Sequence, residues 1–156
     1  MHTIRLRGPW QVEPVARFVF EADGTYLPDE TNLPPAARVT MPADWSATCG
    51  ADFIGRVRYR RVFHRPTGLD SGERVFLVVE PARSSACITL KGAVVGLVKA
   101  GEPAGRFEIT ERLEEDNRLE ITVDHPALDY MRSTVGDPAL LPPGGLVGEV
   151  RLEIED

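Results

Sequence analysis

Acidic side chains are the most numerous reactive groups in this 156-residue sequence, with 24 aspartates and glutamates against 18 lysines and arginines. Acid–base or nucleophilic chemistry by carboxyls needs two of them on either side of a substrate, with pKa values set apart by their surroundings. The acids in the strand-like segments mostly alternate outward, and the others cluster in turns. No such pair stands out, so the sequence assigns no catalytic residue.

Metal chemistry has little support from residue spacing. His2, His64 and His125 lack partners at helix or hairpin spacing, so neither a zinc site nor any metal ligand is assigned. A structural calcium stays open, because carboxylates and carbonyls in the turns at Asp23 or Asp137 are the oxygen ligands that calcium takes. Solvated turns are the simpler explanation of both. Phosphate-loop and nucleophile-elbow motifs are missing from the sequence, and no cofactor is expected.

A loop surface is the best candidate for ligand binding. Tyr130, in the segment Asp-Tyr-Met-Arg at 129–132, is the aromatic residue best placed to be exposed. Arg132, Asp44 and Asp137 are the polar residues expected to share a loop surface with it. Loops on a rigid scaffold commonly carry binding residues, since the strand faces are used by packing or solvation. We therefore predict a ligand site from these four residues.

The elements that must position this surface are strands. Val57, Tyr59, Arg61 and Phe63 share one face of a strand by period-two alternation, and segments 118–124 and 149–155 alternate in the same way. Short strands separated by Gly-, Pro- and Asp-rich turns favour an all-β sandwich of two antiparallel sheets. We expect a single domain over residues 1–156, with Tyr59 and Phe63 in its core. Segments 24–38 and 125–146 are expected as ordered loops, and 110–115 as one or two helical turns begun by Thr110.

Two features of the strand pattern leave questions for the structure. Segment 73–80 carries apolar residues on both faces, with Phe76 and Val78 on the outer one, which implies cover on both sides. Loop 24–38 folding across that face is the favoured explanation, and a second protein is the alternative. Arg61 shares the buried face of its strand, so we expect an ion pair with Glu80 or Glu108.

Composition narrows the class of protein. A formal charge of −6 argues against a general affinity for nucleic acid, whose phosphates are neutralised by Lys and Arg. The first residues lack the apolar core of a signal peptide, and no stretch approaches the length of a membrane span, so a cytoplasmic location without a membrane partner is the default expectation. Cys49 and Cys87 do not make a disulfide framework, and Cys87 is expected as a buried free thiol rather than half of a bridge.

Several motifs resemble a known domain. Segment 53–66 reads Phe-Ile-Gly-Arg-Val-Arg-Tyr-Arg-Arg-Val-Phe-His-Arg-Pro and resembles the Gly-x-x-Trp/Tyr-Tyr-Arg-Arg-x-Phe-x-x-Pro strand of the N-terminal sugar-binding domain of family 2 glycoside hydrolases, the group of β-galactosidases, β-glucuronidases and β-mannosidases. Other matching pieces follow the family's order along the chain: Leu6, Gly8 and Trp10, then Met41, Pro42, Asp44 and Trp45, then 74–77, 86–92, 106–110, 117–123 and 144–146.

The resemblance implies a galactose-binding-like jelly roll without a catalytic barrel. The family's catalytic glutamates lie in a (β/α)₈ barrel of roughly 250 residues, for which this chain has no room. Trp10 and Trp45 match two tryptophans whose role in the family is mainly structural. Arg58 stands where the family has an aromatic residue, and the loop before the last strand lacks the Asp and Trp cluster that reaches the active site in β-galactosidases. These departures weaken the expectation that the domain lines a glycosidase pocket.

The sequence therefore predicts a non-catalytic carbohydrate-binding-like module, with Asp44, Tyr130, Arg132 and Asp137 as candidate sugar-binding residues. The alternatives are a structural or interaction sandwich that binds no sugar and uses the Phe76 and Val78 face for a partner, or a fragment of a complete glycoside hydrolase. Carbohydrate and a catalytic or other protein are the expected partners. Enzymatic activity of the chain by itself is not expected.

Overall fold

Two antiparallel sheets packed face to face make up the fold of this chain. The computed structural model describes residues 1–23, 25–81, 84–126, 143–146 and 148–156. Within these residues eleven strands form one four-stranded and one seven-stranded sheet, called here the small sheet and the large sheet. The prediction of an all-β sandwich is confirmed.

The small sheet has the strand order β1-β11-β6-β9. Its strands are β1 (His2–Arg5), β6 (Arg74–Val79), β9 (Gly105–Glu108) and β11 (Val150–Glu155). Strand β6 is central and pairs with β11 on one side and β9 on the other. Its inner residues Val75, Leu77 and Val79 are fully buried, as a central strand facing another sheet requires.

The large sheet has the order β3-β2-β5-β10-β7-β8, with β4 also paired to β2. Its strands are β2 (Trp10–Phe20), β3 (Tyr26–Asp29), β4 (Ala37–Val39), β5 (Gly55–His64), β7 (Ser85–Leu90), β8 (Ala93–Val98) and β10 (Asp116–His125). Strands β5 and β10 are its centre and pair over ten residues. This long pairing fixes which side chains of the two strands share a face.

The core lies between the inner faces of the two sheets. Tyr59 and Phe63 are buried there with 1% and 3% of their surface exposed, as the alternation predicted. Trp10 and Trp45 are also buried, and each indole N–H donates to a backbone carbonyl, that of Leu6 at 2.7 Å and that of Phe53 at 3.2 Å. Both tryptophans are packing residues, because a buried indole with its N–H bonded has no face left for a ligand.

A register shift in β2 requires glycine at one position of β5. Between Pro14 and Ala16 the pairing of β2 with β5 slips, as at a β-bulge. Gly55 lies against this irregularity, where an added Cβ would overlap the Ala16 carbonyl oxygen and press on the Phe53 ring. Only glycine fits there without moving β2.

Other local predictions need correction. Segment 110–115 forms only a 3₁₀ turn, η1 (Thr110–Arg112), and Thr110 does not cap it, because its hydroxyl accepts the Val75 N–H at 2.9 Å. A four-residue helix, α1 (Ser46–Cys49), was not predicted. Neither described helix is long and apolar enough to cross a membrane.

The sequence predicts ordered loops at 24–38 and 125–146 and a buried free thiol at Cys87. Segment 24–38 contains β3 and the first residues of β4, and most of segment 125–146 lies outside the described residues. Cys49 and Cys87 are both free and half-buried. Burial raises the pKa of the Cys49 thiol to about 11.

Candidate functional site

Asp44 lies at one end of the sandwich, in an exposed turn before α1. Its carboxylate accepts hydrogen bonds from the Ser46 backbone N–H at 2.9 Å and the Ser46 hydroxyl at 2.6 Å, which hold the pKa of Asp44 below its usual value. The same turn contacts the returning segment 143–146, since Trp45 N–H donates to the Gly144 carbonyl at 2.9 Å. Tyr130, Arg132 and Asp137 lie outside the described residues, so their place in this site stays a prediction.

The start of segment 126–143 lies against the same tryptophan. The buried His125 ring makes an edge contact with Trp45, with centroids 5.8 Å apart, and its Nδ1 lies 3.1 Å from the Ser84 hydroxyl oxygen. Ser84 and His125 are each 1% exposed, so this pair has no contact with solvent and supports the end of β10 structurally. Trp45, next to Asp44, thus contacts described residues on both sides of the segment that carries the other three candidates.

The outer face of the small sheet is covered by its own charged side chains. Phe76 and Val78 are only 7% and 2% exposed. The guanidinium carbon of Arg106 lies 3.6 Å from the Phe76 ring centroid, and that of Arg74 lies 5.0 Å from it. The prediction that loop 24–38 covers this face is wrong, because the strands of that segment pair with β2 in the large sheet. Long arginine stems cover the apolar residues while their charged ends remain at the surface.

These arginines belong to a layer of ion pairs, called here the small-sheet layer. Arg106 pairs with Glu153 at 2.9 Å, and Glu153 also accepts from Arg151 at 2.9 Å. The two hydrogen bonds hold the pKa of Glu153 below its usual value of 4.5. The whole layer contains Arg5, Arg74, Arg106, Arg151, Glu80, Glu108, Glu149, Glu153 and Glu155. Each of its arginines has a carboxylate partner.

Arg61 does not form the expected ion pair. Both expected partners, Glu80 and Glu108, belong to the small-sheet layer, and among the described residues Arg61 has no carboxylate partner. Its guanidinium instead lies 5.9 Å from the Trp10 ring centroid at the rim of the core. Burial without a carboxylate lowers the pKa of Arg61, although a guanidinium remains charged near neutral pH.

A row of side chains crosses six strands on the outer face of the large sheet, and all but the last of its members are polar. Paired residues in neighbouring strands point to the same side of a sheet, so the observed registers define the row directly. Its members, in order across β4, β2, β5, β10, β7 and β8, are Arg38, Gln11, Arg60, Glu120, Thr89 and Val94. The next position along β5 and β10 adds the pair Val62 and Arg118.

This row lines a shallow groove, called here the large-sheet groove. The groove has a volume of about 650 Å³ and adjoins a second depression of about 450 Å³ to which Arg38 contributes. Arg60 pairs with Glu120 at 3.0 Å and with Glu13 at 3.5 Å. Arg38 and Arg118 have no carboxylate partner in the described part of the chain. The groove therefore has an excess of positive charge, although the protein carries a net charge of −6.

The groove has no aromatic platform. None of the ten aromatic residues in the described ranges is exposed; the eleventh in the sequence is Tyr130. Val62, with 49% of its surface exposed, is an apolar contact available on the groove floor. The donors and acceptors are the side chains of Gln11, Arg60, Thr89, Arg118 and Glu120. What the groove offers is charge and hydrogen bonding rather than ring stacking.

Sequence reasoning missed this groove. The alternation already placed Arg60 on the face opposite Tyr59, and likewise Arg118 and Glu120 opposite Leu119. The order in which β2, β5, β10 and β7 lie side by side was unknown, so residues far apart in the chain could not be joined into one row. For metals, the described residues contain no group of three histidines, cysteines or acids that could hold an ion.

The sandwich is of the kind found in family 2 glycoside hydrolases, which confirms the resemblance inferred from the strand motifs. The FMN-binding β-glucuronidase from Facaelibacterium prausnitzii L2-6 is similar over 98% of this chain and 22% of its own, with a TM-score of 0.71 and 26% identity. The Bifidobacterium dentium β-glucuronidase complexed with coumarin-3-O-glucuronide is similar over 97% of this chain and 29% of its own, with a TM-score of 0.68 and 20% identity.

A third similar structure is the putative β-galactosidase from Bacteroides fragilis, which matches 98% of this chain and 23% of its own with a TM-score of 0.63 and 22% identity. This chain therefore spans less than a third of each of these glycosidases. No protein-family model matches the sequence, and no curated protein matches it.

Proposed function

We propose that this chain is a non-catalytic carbohydrate-binding module of a glycoside hydrolase system. The observation that carries the proposal is the match of nearly the whole chain to about a fifth of a β-glucuronidase chain. A fold of this kind positions side chains for binding, but fold alone does not fix function. The supporting chemistry is the set of exposed donors and acceptors at the end of the sandwich around Asp44 and on the large sheet.

Catalysis by the chain alone has no support in the described carboxylates. Glycoside hydrolysis uses two carboxyls roughly 5 to 10 Å apart, one of them kept protonated by its surroundings. Glu13 and Glu120 lie on the outer face of the large sheet, and each forms ion pairs with Arg58 and Arg60. The carboxylate of Asp44 accepts two hydrogen bonds, which lower its pKa and favour its charged form.

A glycan array followed by calorimetry tests the proposal. We expect binding of at least one glycan, together with no turnover of nitrophenyl β-galactoside, β-glucuronide or β-mannoside. If the predicted loop site holds the ligand, Tyr130→Ala should weaken binding by removing a stacking face, with an unchanged melting temperature. Turnover that is abolished by mutating one of the chain's own acids would overturn the non-catalytic assignment, and binding to no glycan would overturn the module.

An interaction domain without sugar binding is the second candidate. The surface first expected for it, around Phe76 and Val78, is already covered by the small-sheet layer. Strand β8 at the edge of the large sheet is the better surface, because Val94 and Leu97 are 59% and 65% exposed there. Exposed apolar residues on an edge strand favour pairing with another chain. Failure of all glycans to bind, with self-association lost in Leu97→Lys, would favour this candidate.

A further inference from the structure

We propose that the large-sheet groove binds an acidic saccharide, through the oxyanions of its sugar rings. This inference rests on the proposed carbohydrate-binding function and specifies the class of sugar and the place where it binds. It differs from the predicted loop site, which lies at the end of the sandwich and depends on Tyr130.

The first argument is the unbalanced charge of the groove. Within the described residues, Arg38 and Arg118 have no carboxylate partner, whereas every arginine of the small-sheet layer has one. A guanidinium presents a planar fork of N–H donors that matches the two oxygens of a carboxylate and also fits sulfate. A bound oxyanion would provide the partner that these two arginines lack.

The second argument is the spacing of the row. Arg38 and Arg60 lie two strands apart, which is roughly 10 Å at the usual distance between strands. That is about the length of two linked sugar rings, so the first and third rings of an oligosaccharide lying across the strands can place one oxyanion near each arginine. Gln11 lies between them and can bond ring hydroxyls, as can Thr89 and Glu120 farther along the row.

The third argument is the lack of an exposed aromatic residue in the described ranges. Modules that bind neutral sugars need an apolar platform for the C–H faces of the rings, and this groove offers only Val62 and the stems of the arginines. Charge-assisted hydrogen bonds are about twice as strong as neutral ones. Charge-assisted hydrogen bonds to an acidic ligand must therefore provide the binding energy that ring stacking provides for neutral sugars.

Calorimetry with three matched trisaccharides tests the inference. The probes are β-1,4-linked glucuronic acid, β-1,4-linked glucose, and the same glucose trisaccharide sulfated at its 6-positions. We expect at least one acidic probe to bind at least ten-fold more tightly than the neutral one. We also expect the difference to shrink as sodium chloride screens the charges. The ratio between the two acidic probes identifies the preferred oxyanion.

Two variants locate the site. Arg118→Gln removes an exposed guanidinium that has no carboxylate partner among the described residues, and it should weaken binding of the acidic probe about ten-fold or more, the usual effect of losing one charge-assisted hydrogen bond. Arg5→Gln is the matched control, because it removes an exposed arginine from the small sheet and should leave binding unchanged. Melting curves of both variants check that the fold is intact.

The outcomes separate this inference from the proposed function. Binding of neutral and acidic trisaccharides with equal affinity would overturn the inference but leave the proposed carbohydrate-binding function intact. The same conclusion would follow if Tyr130→Ala abolished binding while Arg118→Gln left it unchanged. Binding of a hexaglutamate peptide as tightly as the acidic saccharide would overturn it by showing a general attraction for polyanions. Binding of no saccharide at all would overturn both.

Discussion

The outer faces of the two sheets use arginine in opposite ways. On the small sheet, four arginines and five glutamates pair with one another and cover Phe76 and Val78. On the large sheet, Arg38 and Arg118 stand in a polar row without a carboxylate partner in the described residues, beside an exposed Val62. The difference shows that a similar content of charged residues can produce a closed layer of ion pairs on one face and an open groove on the other.

Truncating one apolar residue on each outer face should give the largest difference in stability. Phe76→Ala should lower the free energy of unfolding by about 3 kcal/mol, because it empties a buried position under Arg106. Val62→Ala should change it by less than about 0.5 kcal/mol, because half of that side chain is already in water. Urea unfolding of both variants measures the contrast. Equal losses would show that the small-sheet layer does not shield Phe76.

Removing one arginine from each outer face should give a smaller difference in stability. Arg106→Ala uncovers the Phe76 ring and leaves the buried Glu153 with one partner instead of two, so a loss of about 1 to 2 kcal/mol is expected. Arg118→Ala breaks no ion pair within the described ranges and should be nearly neutral. Thermal melting compares the two variants, and a destabilised Arg118→Ala protein would place that arginine in a structural role.

The smallest expected effect is on the dependence of stability on pH. The pKa of Glu153 is lowered in the folded protein by Arg106 and Arg151, so its contribution is fully present above the ordinary value of 4.5. The contribution is lost as the pH falls through the lower folded pKa. Glu153→Gln should therefore flatten the fall in stability below about pH 4.5. Urea midpoints between pH 3 and 7 measure this, and an unchanged acid limb would contradict the depressed pKa.

The fold was more predictable from the sequence than the site. Strand β5 was predicted with its correct buried face, because the pleat sends alternate residues to opposite sides whatever the strand's neighbours are. The pattern at 73–80 correctly indicated that Phe76 is covered, yet it could not say by what. The cover comes from arginines of β6 and β9, whose sides are fixed only by long-range pairing.

The candidate site depends on contacts that a linear pattern does not contain. Arg38, Arg60 and Arg118 are neighbours only because β4, β2, β5 and β10 lie side by side, an order that differs from their order in the chain. Thr110 shows the same limit at short range. Its preference for capping a helix is overridden by the N–H of Val75, which needed an acceptor at the edge of the core.

The glycine at position 55 should help to identify distant relatives of this domain. The Ala16 carbonyl oxygen of β2 leaves no space for a side chain at this position, so any descendant that keeps the β2 irregularity must keep a glycine here, whatever happens to the charges around it. The arginines of the large sheet are under no such steric restriction and can change more freely. Remote relatives should therefore be easier to recognise by the glycine and the bulge together than by the charged residues of the large sheet.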